Sequence, residues 1–154
     1  MLTRLFDCAQ LEMPNKRIRH FDNSGAAAVE FAVVFPLFLV TTLAILAYGI
    51  YFGAAHSVQQ LAADAARSSV PGLNEAERKQ LSQSYVSANA ASYPLLTANK
   101  VTVTTTAGAT NPADMVVKVT YDSTALPIWG FSNLIPLPSP IIERVAVIHR
   151  GGPQ

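Results

Sequence analysis

Residues 31–53 read FAVVFPLFLVTTLAILAYGIYFG, a run of 23 residues without a charge, and Glu30 stands directly before it. At 1.5 Å per residue, a helix of that length crosses a bilayer core of roughly 30 Å. A globular core helix needs no such all-round apolarity. Removing an ionised carboxylate from water is costly, so Glu30 at the mouth of this run demands a reason.

The charges beside the run set a direction. Lys16, Arg17 and Arg19 precede it, with Arg4 further out, whereas the first charge after it is Asp64 and the first basic residue is Arg67. Basic residues stay on the cytoplasmic side, so the expected topology has the N-terminus inside and residues 54–154 outside. Tyr48, Tyr51 and Phe52 gather at the far end, where an interfacial aromatic belt belongs. A cleaved signal peptide is the competing reading. Its apolar part spans about 7–15 residues before a small-x-small site, and Gly53-Ala54-Ala55 keeps that reading open.

The chain has 154 residues, which suits one small domain plus a membrane helix. Its net charge of +1 offers no basic surface for nucleic acid. Cys8 is the single cysteine, so an intrachain disulfide or a cysteine metal cluster has no material. His20, His56 and His149 are scattered without metal-ligand spacing, and a phosphate loop or nucleophile elbow is missing from the sequence. The expectation is a non-enzymatic protein without metal or cofactor.

Residues 1–25 are polar and mixed in charge, a cytoplasmic leader, with Met13 as an alternative start. The helical pattern begins at Ala26 and continues past the apolar run. Val58, Leu61, Ala62, Ala65 and Ser69 recur at helical spacing until Pro71-Gly72 stops it. Residues 26–70 are therefore expected as one helix of about 45 residues, or about 65 Å. Pro36 lies inside its membrane part, and Thr41 and Thr42 are expected to bond back to their own helix.

Residues 71–154 are expected as an α+β domain. Asn74 with Glu77 makes a capping-box pattern for a second helix, with Leu81, Tyr85 and Ala88 as its apolar stripe and an end near Tyr93-Pro94. The period then changes to two. VTVTT from Val101, MVVKVTY from Met115 and IIERVAVIH from Ile141 read as three antiparallel strands, the first two joined by a loop containing Gly108, Asn111 and Pro112. Between the second and third, residues 125–140 carry four prolines and the apolar Trp129, Phe131, Leu134 and Ile135. That patch closes the small core or meets a partner or the membrane surface, the first being favoured.

The heptapeptide Gly25-Ala26-Ala27-Ala28-Val29-Glu30-Phe31, placed directly before a spanning helix, resembles the processing site of type IV pilin-like proteins. GAAAVEFAVVFPLFLV is similar to the opening of TadE-like minor pseudopilins of the tight-adherence (Flp) pilus machinery. The resemblance covers about residues 24–54 and is architectural beyond them. It implies a pilin-like fold, prepilin peptidase cleavage between Gly25 and Ala26, and Glu30 and Phe31 as the fifth glutamate and the aromatic residue after it. The departure from the pattern is the stretch His20 to Ser24 between Arg19 and Gly25, where basic residues commonly abut the glycine. By this reading the chain is a single-pass protein of the bacterial inner membrane with a periplasmic domain. It takes part in assembly of a pilus or secretion filament, and its partners are prepilin peptidase, other pseudopilins, pilus-assembly membrane proteins and the lipid bilayer. Glu30 sets helix register by meeting the new amine at Ala26, or else only marks the interface, facing the positive end of the helix dipole, and Gly49-x3-Gly53 is a candidate helix-packing face. Two alternatives stand beside it: an envelope-binding domain on an uncleaved anchor, and a secreted protein cut after Ala55.

Overall fold

The structure, a computed structural model, describes residues 24–108 and 114–149. The leader, with Met13 and the basic cluster before the apolar run, lies outside the described residues, as do residues 109–113 of the loop between the first two strands. Two compact units divide the chain, Met1–Phe35 and Pro36–Gln154.

The first helix, α1 (Ser24–Ser68), has 45 residues with Pro36 inside it. Thr41 Oγ1 donates to Leu37 O at 2.8 Å and Thr42 Oγ1 to Phe38 O at 2.9 Å, so both hydroxyls are satisfied by their own helix. No residue from 25 to 46 is buried. From Ala47 onward one face becomes buried: Ala54, Ala55, Val58, Leu61, Ala62, Ala65 and Ala66 all belong to the core. The stripe Val58, Leu61, Ala62, Ala65 and Ser69 expected from spacing alone is buried throughout. Most of these side chains are small.

The second helix, α2 (Glu75–Asn89), starts at an Asn74 cap whose Oδ1 accepts from Glu77 N at 2.9 Å. Glu77 reaches back as a capping box does, but its Oε2 accepts from Leu73 N at 2.9 Å, one residue before the cap. The buried face of α2 carries Ser82 and Val86 and continues to Ala90. This corrects the expected stripe by one position: Leu81 and Tyr85 lie half-buried at its margin and Ala88 is exposed. Ser82 tolerates complete burial because its Oγ donates to Arg78 O at 2.8 Å.

Three strands follow: β1 (Val101–Ala107), β2 (Met115–Asp122) and β3 (Ile141–Ile148). They form one antiparallel sheet in the order β1-β2-β3. The whole is the α+β arrangement expected of the sequence. Central β2 alternates strictly, with Met115, Val117, Val119 and Tyr121 buried in the core beside the α1 face. Register places Val101 and Val103 of β1 opposite Tyr121 and Val119, and Ile142 of β3 opposite Tyr121. Along β3, side chains engage three backbone groups. Ile141 N donates to Ser139 Oγ at 3.2 Å, Glu143 O accepts from Arg144 Nη1 at 2.8 Å, and Val145 O accepts from Gln59 Nε2 at a long 3.5 Å.

The proline-rich connection before β3 closes the core, as favoured from its composition. Leu126, Ile128 and Ile135 are buried, and Trp129 donates from Nε1 to Ser123 O at 2.6 Å. Ser123 is itself buried and donates from Oγ to Pro140 O at 2.7 Å. Leu134 is the exception and stays exposed.

Polar contacts tie the elements at their margins. Tyr93, after α2, donates to Asp64 Oδ2 on α1 at 2.8 Å and meets the Tyr85 hydroxyl at 3.2 Å. Burial, then the hydrogen bonds with Tyr85 and Asp64, push the Tyr93 hydroxyl well above the ordinary tyrosine range. Lys100, at the entry to β1, pairs with Asp122 Oδ2 at the end of β2 at 2.9 Å. The Lys100 hydrogen bond, helped by those from Thr124, holds the Asp122 carboxyl well below the ordinary carboxylate range.

Two outcomes follow from this packing. Leu61→Ala empties a fully buried site and should destabilise the domain by about 2–5 kcal/mol. Leu46→Ala, at an exposed position, should leave the unfolding transition of the full chain in micelles unchanged. The Asp122 carboxyl is depressed in the folded chain and ordinary in the unfolded one. The stabilisation from its pair is therefore present above the unfolded value of about 3.9 and is lost as pH falls from there toward the folded value. Lys100→Met should move the Asp122 titration, followed by carboxyl carbon shifts, upward toward that ordinary value.

Candidate functional site

The residues singled out by sequence all lie on α1, the element that carries both exposed apolar surface and core. Gly25 is its second residue, and a Cβ added there would meet no atom within 4 Å. Ala26 is exposed. The first turn of a helix leaves its N–H groups without intrahelical partners, and glycine adds its own entropic cost.

Glu30 is the seventh residue of α1 and is exposed. Ala26 and Glu30 are four apart, one above the other on a single helix face. Phe31 is also exposed, and its ring stacks on Phe35 with centroids 5.1 Å apart at 27°. Val33, Leu37 and Phe38 continue this uncovered apolar surface.

Gly49 and Gly53, one small-x3-small pair in the sequence, face different surroundings. At Gly49 a Cβ would meet nothing within 4 Å, and the residue is exposed. At Gly53 it would lie 3.0 Å from Leu95 Cδ1 of the same chain. Leu95 sits at φ 65°, a conformation that costs a branched residue energy, and it persists because surrounding contacts fix it. One such contact is the Tyr121 hydroxyl, which donates to Leu95 O at 3.0 Å. Gly53 thus leaves room for Leu95, and the glycine open to another helix is Gly49.

The aromatic residues near the end of the apolar run divide in the same way. Tyr48 donates to Pro136 O at 2.7 Å and Tyr51 to Ser139 O at 3.3 Å, so their hydroxyls join the helix to the connection before β3. Phe52 is exposed and packs edge-on to Tyr51. Sequence reasoning placed all three in an interfacial belt and missed the two tyrosines as fasteners. The proline-rich segment that supplies their acceptors gave no periodic signal to pair them with.

Among the described residues, no group of three or more His, Cys, Asp or Glu side chains is placed to hold a metal. His56 meets Gln60 at 3.0 Å and His149 meets Asp114 at 2.8 Å. What the site presents is surface: an apolar helix with a carboxylate near one end and a glycine near the other.

The two glycines give a direct comparison. Gly49→Ala should stabilise the helix by up to about 1 kcal/mol, since its Cβ meets open space. Gly53→Ala should cost at most about 1 kcal/mol, because the neighbour that must give way is the flexible tip of Leu95. A bulky Gly53→Leu should cost clearly more, whereas Gly49→Leu should not. Thermal unfolding of the four variants checks the ordering.

No curated protein and no solved structure matches the chain. Residues 25–67 match the family model described as TadE-like protein. The match begins at the expected processing glycine and ends one residue before the end of α1. Among the described residues, one helix near the N-terminus is long and apolar enough to cross a membrane. Over residues 25–67, which lie within α1, the chain is thus similar to the TadE-like family.

Proposed function

We propose that the chain is a minor pseudopilin that takes part in assembling a tight-adherence pilus or a related secretion filament. It is cut by prepilin peptidase between Gly25 and Ala26. It stands in the bacterial inner membrane with its N-terminus in the cytoplasm and the domain in the periplasm. Its helix packs against those of other pseudopilins and pilus-assembly membrane proteins, with Gly49 on the contact face. The basic cluster before the apolar run supports the orientation.

The observation that carries this reading is where the fold takes hold of α1. Burial begins at Ala47, and only 16 uncharged residues separate it from Glu30. In a helix they rise about 24 Å, short of the roughly 30 Å hydrocarbon core. A domain resting on the membrane surface therefore draws Glu30 into the edge of the apolar layer. A carboxylate there needs a counter-charge. Cleavage supplies one, an α-amine at Ala26, on the same helix face or on a neighbouring subunit. A desolvated pair of this kind is a register device more than a source of affinity.

Mass spectrometry of the chain co-expressed with its prepilin peptidase should find a mature N-terminus at Ala26. A persistent leader supports the uncleaved anchor instead, and a start at His56 supports secretion. Glu30→Gln should be inserted and cut normally. Its co-purification with other pilus membrane proteins should fall by at least about tenfold, about 1.4 kcal/mol. Assembly at the parental level would leave Glu30 as an ordinary interfacial residue.

A further inference from the structure

The turn between α1 and α2 opens into a cavity of about 310 Å³, lined among others by Val70, Arg78, Met115, Ile148 and His149. This lies at the lower end of the size range of small-ligand sites. Arg78 is its cation. The stem of Arg78 is fixed by Gly72: Nε donates to Gly72 O at 3.0 Å, and a Cβ on Gly72 would lie 2.5 Å from Arg78 Cγ and 2.9 Å from Arg78 N. No side chain but hydrogen fits there.

The terminal nitrogens of the guanidinium have no partner among the described residues. The nearby carboxylates are engaged elsewhere. Asp114 Oδ1 meets His149 Nδ1 at 2.8 Å, and Glu77 Oε2 accepts from Leu73 N at 2.9 Å. Val70, Met115 and Ile148 supply apolar wall beside the cation. A guanidinium fork matches a carboxylate with two parallel hydrogen bonds, and low-dielectric walls strengthen them.

We propose that this cavity binds the terminal α-carboxylate of a partner chain that ends in an aliphatic residue. Such an α-carbon carries a carboxylate and an apolar side chain next to each other, as the cavity places Arg78 next to Val70, Met115 and Ile148. The site lies on the folded domain and is independent of cleavage at Gly25 and of the role of Glu30.

The full chain in detergent micelles, carrying methyl labels, tests this with three probes. N-acetyl-leucine should shift the Met115, Val70 and Ile148 methyls saturably, with a Kd on the order of 1 mM for a ligand of this size. N-acetyl-leucinamide, which lacks the carboxylate, and acetate, which lacks the side chain, should each bind at least tenfold more weakly. Arg78→Gln should weaken N-acetyl-leucine binding at least tenfold, and Arg78→Lys should recover only part of it. Val70→Ser alters an exposed residue, so the fold is kept, and should lower affinity severalfold. Equal binding of the amide, equal binding of acetate, or parental affinity in both Arg78→Gln and Val70→Ser would overturn the proposal. So would the absence of any saturable shift.

Discussion

The small-residue face of α1 is the constraint on which the rest of the domain depends. Ala54, Ala55, Val58, Leu61, Ala62, Ala65 and Ala66 share one buried core with Val117, Val119 and Tyr121 of β2. Larger side chains on that face would push the sheet outward. The alternating Val117, Val119 and Tyr121 would lose their partners, and the short α2 has too little apolar surface to replace them. Only Val86 and Ala90 of that region reach the core. The same helix is exposed over residues 25–41 and carries no buried residue before Ala47. Large apolar side chains such as Phe35, Leu37 and Phe38 stand where no protein covers it, and the buried face from Ala47 on is mostly alanine.

Much of this was legible in the sequence, and the reasons are local. A helix of 45 residues needs sustained apolar content followed by a regular stripe, and both are written in order from Phe31 to Ser69. Asn74 caps because its side chain can reach Glu77 N regardless of tertiary context. Strict alternation in MVVKVTY selects a half-buried strand, and β2 is the central one. The stripe of α2 was misread because polarity was taken for exposure. Ser82 hides its hydroxyl on Arg78 O and goes inside, whereas Tyr85 keeps its hydroxyl at the margin, beside Tyr93. Pairwise meaning was not legible either. Gly49 and Gly53 are equivalent in sequence, and only the path of the 93–97 segment shows that Leu95 occupies the space beside one of them.

The candidate site shows the same division. Gly25, Glu30 and Phe31 were singled out by a short pattern joined to an apolar run, and all three are exposed on α1. Position relative to the membrane was the harder question. It depends on where protein begins to enclose the helix, a property of contacts made by residues about ninety positions later, such as Pro136 and Ser139.

The treatment of β3 has a consequence for crowding. β3 is a sheet edge, and exposed Val145 and Val147 give it the character of a sticky strand. Ser139, Arg144 and Gln59 occupy backbone groups at three points along it, one of them through α1 itself. A second chain trying to zip onto this edge would have to displace those side chains first. Proteins confined to a bilayer meet at high effective concentration with their sheets already oriented alike, the geometry in which runaway strand pairing is easiest. Tying the edge to α1 through Gln59 makes strand pairing at β3 the costlier contact for any second chain.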